Sequence, residues 1–270
     1  NPHMGLGDYG NIRILLRTIV IVSIPNSQQG RLVMEIAMSR DKFLSEMERR
    51  FEGKRNTDHE MVQNIANGTA TREQIGYLGI LFYHFTKCTP QVISTIHSRC
   101  EDRNIRRRIM DTLIDEDTEL RCGSAGHDVL AMNFVIRFTG LTEDEVENHP
   151  LPDSIKNMID YRFKVAREMP VIVALGNSGV ASESHAPEMC RMISNGLAEH
   201  YSVKDEDQES WIVHIEGDEK HSETALKTVL ESCTTRELQD QMLWCIDEYL
   251  KHWVNFWDEC MTGNIQRFNQ

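Results

Sequence analysis

Apolar residues recur at helical spacing through most of the chain. Phe43, Leu44, Met47 and Phe51 make one face, and Gly53 ends it. A second short helix is predicted over residues 58–67, closed by Gly68, and Thr71-Arg-Glu-Gln74 is a capping box that opens a third. Thr89 reads as an N-cap followed by Pro90 at the first helical position. A longer helix is expected over 102–119, and another over 127–138 with Gly140 as its stop. Thr142-Glu-Asp-Glu145 opens a short turn of helix that Pro150 and Pro152 break. Helix resumes over 153–168 and again over 170–201, the latter with Gly176 and Gly179 inside it. Residues 205–233 read as one long helix, and Thr234-Thr-Arg-Glu237 caps the last, which runs to about Met261. The one extended piece is at 20–24, and no internal repeat or low-complexity linker is present. The pattern predicts a single all-α domain, a compact helical bundle.

Composition narrows the function classes. The chain has 270 residues, 40% of them apolar, enough for a buried core, and its formal net charge is −13. Such a surface argues against nucleic acid, whose binding needs basic residues to replace counterions, and against anionic membrane. The run Arg106-Arg107-Arg108 is too short to reverse this and reads as a solvated helix face. Seven cysteines occur without a CxxC pair, which suits small core residues in a reducing cytosol rather than a zinc ribbon or redox motif. Residues 1–4, Asn-Pro-His-Met, read as a tag remnant and 5–33 as a poorly ordered leader. The apolar run at 12–24 carries two arginines and is too short to span a bilayer. The folded domain is expected over 34–270, starting near Met34 or Met38, and the expected compartment is the cytoplasm.

Three segments carry candidate metal chemistry. His214, Asp218 and His221 stand at i, i+4 and i+7, so on a helix they fall in one stripe about 60° wide. Glu183 follows a segment, 175–181, that is apolar or small on every face, and a carboxylate buried there needs a partner or a metal. Glu116 closes one predicted helix and His127 opens the next, across a small-residue stretch at 123–126. Hard carboxylates with neutral imidazoles and no thiolate suit iron or manganese, and zinc less specifically. Each segment also has a plainer reading. A His-Asp-His stripe is often a solvated face, and so is the acidic run Asp115-Glu-Asp117. His84, His97 and His252 read as core histidines, and Trp244, Trp253, Phe256 and Trp257 as packing residues. No GxGxxG, P-loop or GxSxG is present, so nucleotide and serine-hydrolase chemistry have no support.

These segments occur in the order of a known family, over about residues 39–260. Ile96-His-Ser-Arg-Cys-Glu-Asp102, Leu113-Ile-Asp-Glu116 with His127, Gly140-Leu-Thr-Glu-Asp-Glu-Val-Glu147, Glu183-Ser-His-Ala-Pro187 and His214-x3-Asp218-x2-His221 carry the likeness. The chain resembles the haem-oxygenase-like di-metal oxidases, close in pattern to the chlamydial protein associating with death domains. The resemblance implies a TenA/PqqC-like bundle of about seven core helices that binds no haem. It implies two Fe(II) ions, with manganese as the alternative, held by Glu116, His127, Glu183, His214, Asp218 and His221. It further implies O2 as co-substrate, an external electron source and a small-molecule substrate, and a homodimer is compatible with it. Desaturation, N-oxygenation, C–C cleavage or nitrile formation on an amino acid or its derivative is the first expectation, with a fatty acid the second choice of substrate.

Two departures qualify the likeness. Members that form aminobenzoate from their own side chains carry a tyrosine in an early helix and a lysine after the central glutamate; this chain has Val62 and Ile193 there. The interval from Glu116 to His127 is also longer, so Glu119 competes with Glu116 as a ligand. The alternatives on the same fold are a thiaminase-like enzyme, a cofactor-free quinone-forming oxidase, an aminobenzoate synthase and an interaction protein.

Overall fold

A computed structural model describes residues 36–118 and 125–265. The expected leader at 1–33, the extended piece at 20–24 and the rival ligand Glu119 lie outside the described residues. The described chain forms twelve helices: α1 (Arg40–Phe51), α2 (Glu60–Ala66), α3 (Arg72–Thr86), α4 (Thr89–Arg99), α5 (Arg103–Asp117), α6 (His127–Thr139), α7 (Glu143–Glu147), α8 (Asp153–Glu168), α9 (Val171–Gly176), α10 (Ala186–Tyr201), α11 (Glu209–Ser232) and α12 (Arg236–Met261). No strand occurs among them. The expectation of about seven core helices fits roughly, because α2, α7 and α9 are short connectors.

Local chemistry sets most boundaries. The Ser39 hydroxyl accepts from the Lys42 amide, Asp102 accepts from the amides of Asn104 and Ile105, and Thr235 accepts from Leu238. Capping boxes stand at Thr71 with Gln74 and at Thr142 with Glu145. Each satisfies amide donors that a helix start leaves unpaired. Gly140 closes α6 in the left-handed region, at φ +73°, where other residues are strained. One cap differs from the sequence reading. Cys88 precedes α4 and Thr89 is its first residue; the Thr89 hydroxyl bonds to the Phe85 carbonyl instead of capping.

Helix α3 is buried from Ile75 through Thr86, so it runs through the interior. Helices α11 and α12 are the longest, and between them passes the segment from α9 to α10. That segment was expected as one helix. The backbone instead widens into a π-helical turn at Asn177–Ser182, tightens into a 3-10 turn at Glu183–His185, and then enters α10. The glycines mark where it presses on its neighbours. A Cβ on Gly176 would lie 2.4 Å from Met242 Sδ, and one on Gly179 would lie 2.3 Å from Ala225 Cβ. A π turn inserts an extra residue and re-aims the side chains around it; here Glu183 is delivered into the interior.

His84 is a core histidine as expected, its Nε2–H donating to the Val146 carbonyl at 2.9 Å. Trp253, Phe256 and Trp257 are buried packing residues as expected; Trp253 stacks on Trp257 and meets Phe256 edge-on. Trp244 is not: it is 45% exposed, because its position on α12 faces away from the core. Among the described residues no helix is long and apolar enough to cross a membrane.

Candidate metal centre

Four elements converge below α3. The last turn of α5 carries Asp115 and Glu116, and α6 begins at His127. Glu183 stands where the π turn tightens, and α11 supplies His214, Asp218 and His221 from one stripe. All six predicted ligands are buried, none more than 8% exposed. The plainer reading of the stripe as a solvated face is therefore overturned, as it is for Glu116 in the acidic run.

The side chains approach one another closely. Glu116 Oε2 lies 3.1 Å from His127 Nδ1, and the rings of His127 and His214 stand 4.4 Å apart, centroid to centroid. Ligand atoms of Glu116, Asp218 and His221 all lie within 4.8 Å of one another. Glu183 Oε2 is 4.0 Å from His221 Nδ1. Both of those atoms are buried, and neither has a hydrogen-bond partner among the described residues. An unpaired buried carboxylate oxygen facing an unpaired ring nitrogen is costly, and a cation between them relieves both.

Electrostatics point the same way. Burial pushes the Glu183 carboxyl well above its ordinary range, and the negative charges of Asp218 and Glu116 push it further. Asp218 is raised by burial and by Glu116. Burial acts upward on Glu116 too, but the adjacent His127 outweighs it and holds the group at about 2. Burial and the neighbouring His127 lower His214 to about 4, which keeps its imidazole neutral, the form that binds metals. Three carboxylates crowded out of water without a counter-cation repel one another, and the donor set fits divalent iron or manganese.

Backing groups orient the imidazoles. His214 Nδ1–H donates to the Ser210 carbonyl at 2.6 Å, which leaves Nε2 as the donor atom. His221 Nε2–H donates to Asp115 Oδ2 at 3.0 Å, which leaves Nδ1 facing Glu183. The sequence reading missed Asp115, placing it on a solvated face; its side chain is only 17% exposed. Its one sequence signal was adjacency to Glu116.

A cavity of about 40 Å³ opens on the centre, walled by Glu116, Glu183, His214 and Asp218 and by Phe85, Arg162 and Trp253. On the other side of Glu183, a second, smaller space is lined by Ile93, Ile96, Ile109 and Leu175 and reaches His221. Arg137 pairs with Asp207, and Arg191 pairs with Glu188 and Glu219, on the surface. Arg162, by contrast, lines the cavity.

A family model described as an iron-containing redox enzyme matches residues 77–254. The 4-aminobenzoate synthase of Chlamydia pneumoniae is 27% identical over 210 residues, covering 78% of this chain and 91% of that protein. The pyrroloquinoline-quinone synthase of Klebsiella pneumoniae subsp. pneumoniae is 28% identical over 183 residues, covering 66% and 69%. Among solved structures, a domain of unknown function with a heme oxygenase-like fold from Shewanella denitrificans superposes with a TM-score of 0.64 at 16% identity, covering 82% of this chain and 90% of that one. The bundle has the haem-oxygenase-like fold.

Proposed function

The chain belongs to the iron-containing redox enzyme family, and from that premise we propose that it is a non-haem di-iron oxidase acting with O2 on an external small molecule. An amino acid or its derivative is the first choice of substrate and a fatty acid the second. The observation that carries the reading is the orphaned pair Glu183 Oε2 and His221 Nδ1, 4.0 Å apart, inside a cage with Glu116 and Asp218. Glu116, His127, Glu183, His214, Asp218 and His221 would hold the ions. When bound by these residues, ferrous iron would supply the O2 activation, with electrons from an external source, that no side chain here provides.

The chain's own residues do the rest. The Ser210 carbonyl and Asp115 fix the tautomers of His214 and His221. Phe82, Phe85 and Trp253 wall the cavity with apolar surface, which keeps water from the reacting groups. Val62 and Ile193, which stand where self-consuming relatives carry tyrosine and lysine, are fully buried aliphatic side chains without an oxidisable group. That supports an external substrate over a self-derived one.

A second reading, formation of 4-aminobenzoate, is favoured by the likeness to the chlamydial synthase. One experiment addresses both. Protein loaded anaerobically with Fe(II), reduced and exposed to O2 is expected to take up iron and consume O2 with its own mass unchanged apart from added oxygen. Release of 4-aminobenzoate with loss of side-chain mass supports the second reading, and failure to bind iron contradicts the first.

A further inference from the structure

The six candidate ligands leave one buried charge unused. Arg162, on α8, is 4% exposed and forms part of the cavity wall together with Glu116, Glu183, His214 and Asp218. Among the described residues all its direct partners are neutral. Nη1 donates to the Phe85 carbonyl at 2.8 Å and to Cys88 Sγ at 3.4 Å, Nη2 donates to Thr89 Oγ1 at 2.8 Å, and the guanidinium lies 4.0 Å from the centre of the Phe85 ring. A guanidinium offers five N–H donors; two are left over. Arginine is rarely buried without a charged partner.

The plainer explanation is that Arg162 satisfies the Phe85 carbonyl in the last turn of α3. That carbonyl already receives the Cys88 thiol at 3.1 Å and the Thr89 hydroxyl at 3.4 Å. A neutral donor would complete it, and it does not call for a full positive charge. Nor do the nearby carboxylates account for the cation. With two divalent ions in place, Asp115, Glu116, Glu183 and Asp218 would supply equal negative charge, and buried Arg162 would remain as one positive charge at the cavity wall. A single negative charge on the occupant completes the balance.

We propose that Arg162 is the anchor for a substrate carboxylate, so that the cavity selects small organic monocarboxylates and holds the remainder of the molecule against the wall formed by Glu183 and His214. This rests on the metal-centre reading above. The planar fork of Arg162 meets a carboxylate with paired hydrogen bonds, which lysine does not reproduce. The role assigned is binding and orientation, not chemistry.

The test reads binding rather than turnover. Iron-loaded protein, kept anaerobic, is melted in the presence of each proteinogenic L-amino acid and of straight-chain fatty acids, each compared with its primary amide. At least one acid is expected to raise the melting temperature and to bind about tenfold or more tightly than its amide, the scale of a charge-assisted pair. Arg162→Gln is expected to lose that preference while binding iron as before, and Arg162→Lys to keep part of it. If no acid in the panel is preferred over its amide, the anchor is overturned. It is equally overturned if Arg162→Gln keeps the full preference, since the acid is then read elsewhere. Should Arg162→Gln not fold, the wild-type comparison and Arg162→Lys decide. Iron stoichiometry is measured on the same samples. Protein that binds iron and ignores carboxylates overturns the anchor alone; protein that binds no iron overturns the metal reading beneath it.

Discussion

Asp115 illustrates how much a single backing residue carries. It holds the Nε2–H of His221 at 3.0 Å from a position 106 residues away in sequence, so the histidine presents Nδ1 to the interior. Loss of such a partner typically weakens metal binding by about 10–100-fold. Asp115→Ala is therefore expected to lower Fe(II) affinity by about that factor, read by competition with a chromophoric chelator, while far-ultraviolet circular dichroism stays unchanged. His84 supplies a pH-dependent prediction away from the centre. Its imidazole is buried, and burial lowers its pKa. The folded state thus prefers the neutral ring; the stability this contributes is fully present above about pH 6.5, the unfolded value, and is lost as pH falls below it. Metal-free protein with His84→Gln is expected to lose less melting temperature than the wild type between about pH 7 and 5. At this scale the convergence of the six candidate residues was foreshadowed in the sequence, because residue type, spacing and order act together along the chain. Asp115 and Arg162 were not, because their partners are set by tertiary packing that no local pattern encodes.

Helix starts were the most legible elements, since a capping serine, threonine or aspartate acts on amides two or three residues away. Thr142→Ala is expected to cost about 1 kcal/mol, read by urea unfolding, because it removes one half of a capping box. The segment between α9 and α10 was read as plain helix because its residues are apolar or small on every face, which leaves periodicity silent about a π turn. What fixes its path is contact with α11 and α12. Two glycines separate structural from site effects. A Cβ at Gly196 would stand 2.4 Å from the Ile65 carbonyl oxygen of α2. Gly196→Ala is expected to cost about 1–3 kcal/mol without altering iron affinity. A Cβ at Gly179 would stand 2.3 Å from Ala225 Cβ, one turn along α11 from His221. Gly179→Ala is expected to lower the melting temperature and iron affinity together; iron titration of the two variants side by side checks the contrast.

For the whole molecule, hydrophobic periodicity sufficed for an all-α bundle, whereas the haem-oxygenase-like topology came from the ordered motifs. The substrate stayed illegible because the cavity wall is assembled from α3, α5, α8, α10, α11, α12 and the turn carrying Glu183, whose facing residues depend on helix phase. Buried Glu183, Asp218 and Glu116 repel one another without a counter-ion, so ligand binding and folding are coupled. The most direct measurement is anaerobic titration of the metal-free protein with Fe(II), followed by iron analysis and a thermal melt, alongside His214→Ala. The account expects two irons per chain, a higher melting temperature on loading, and loss of at least one iron in the variant. A wild-type protein that retains no iron and melts at an unchanged temperature contradicts it.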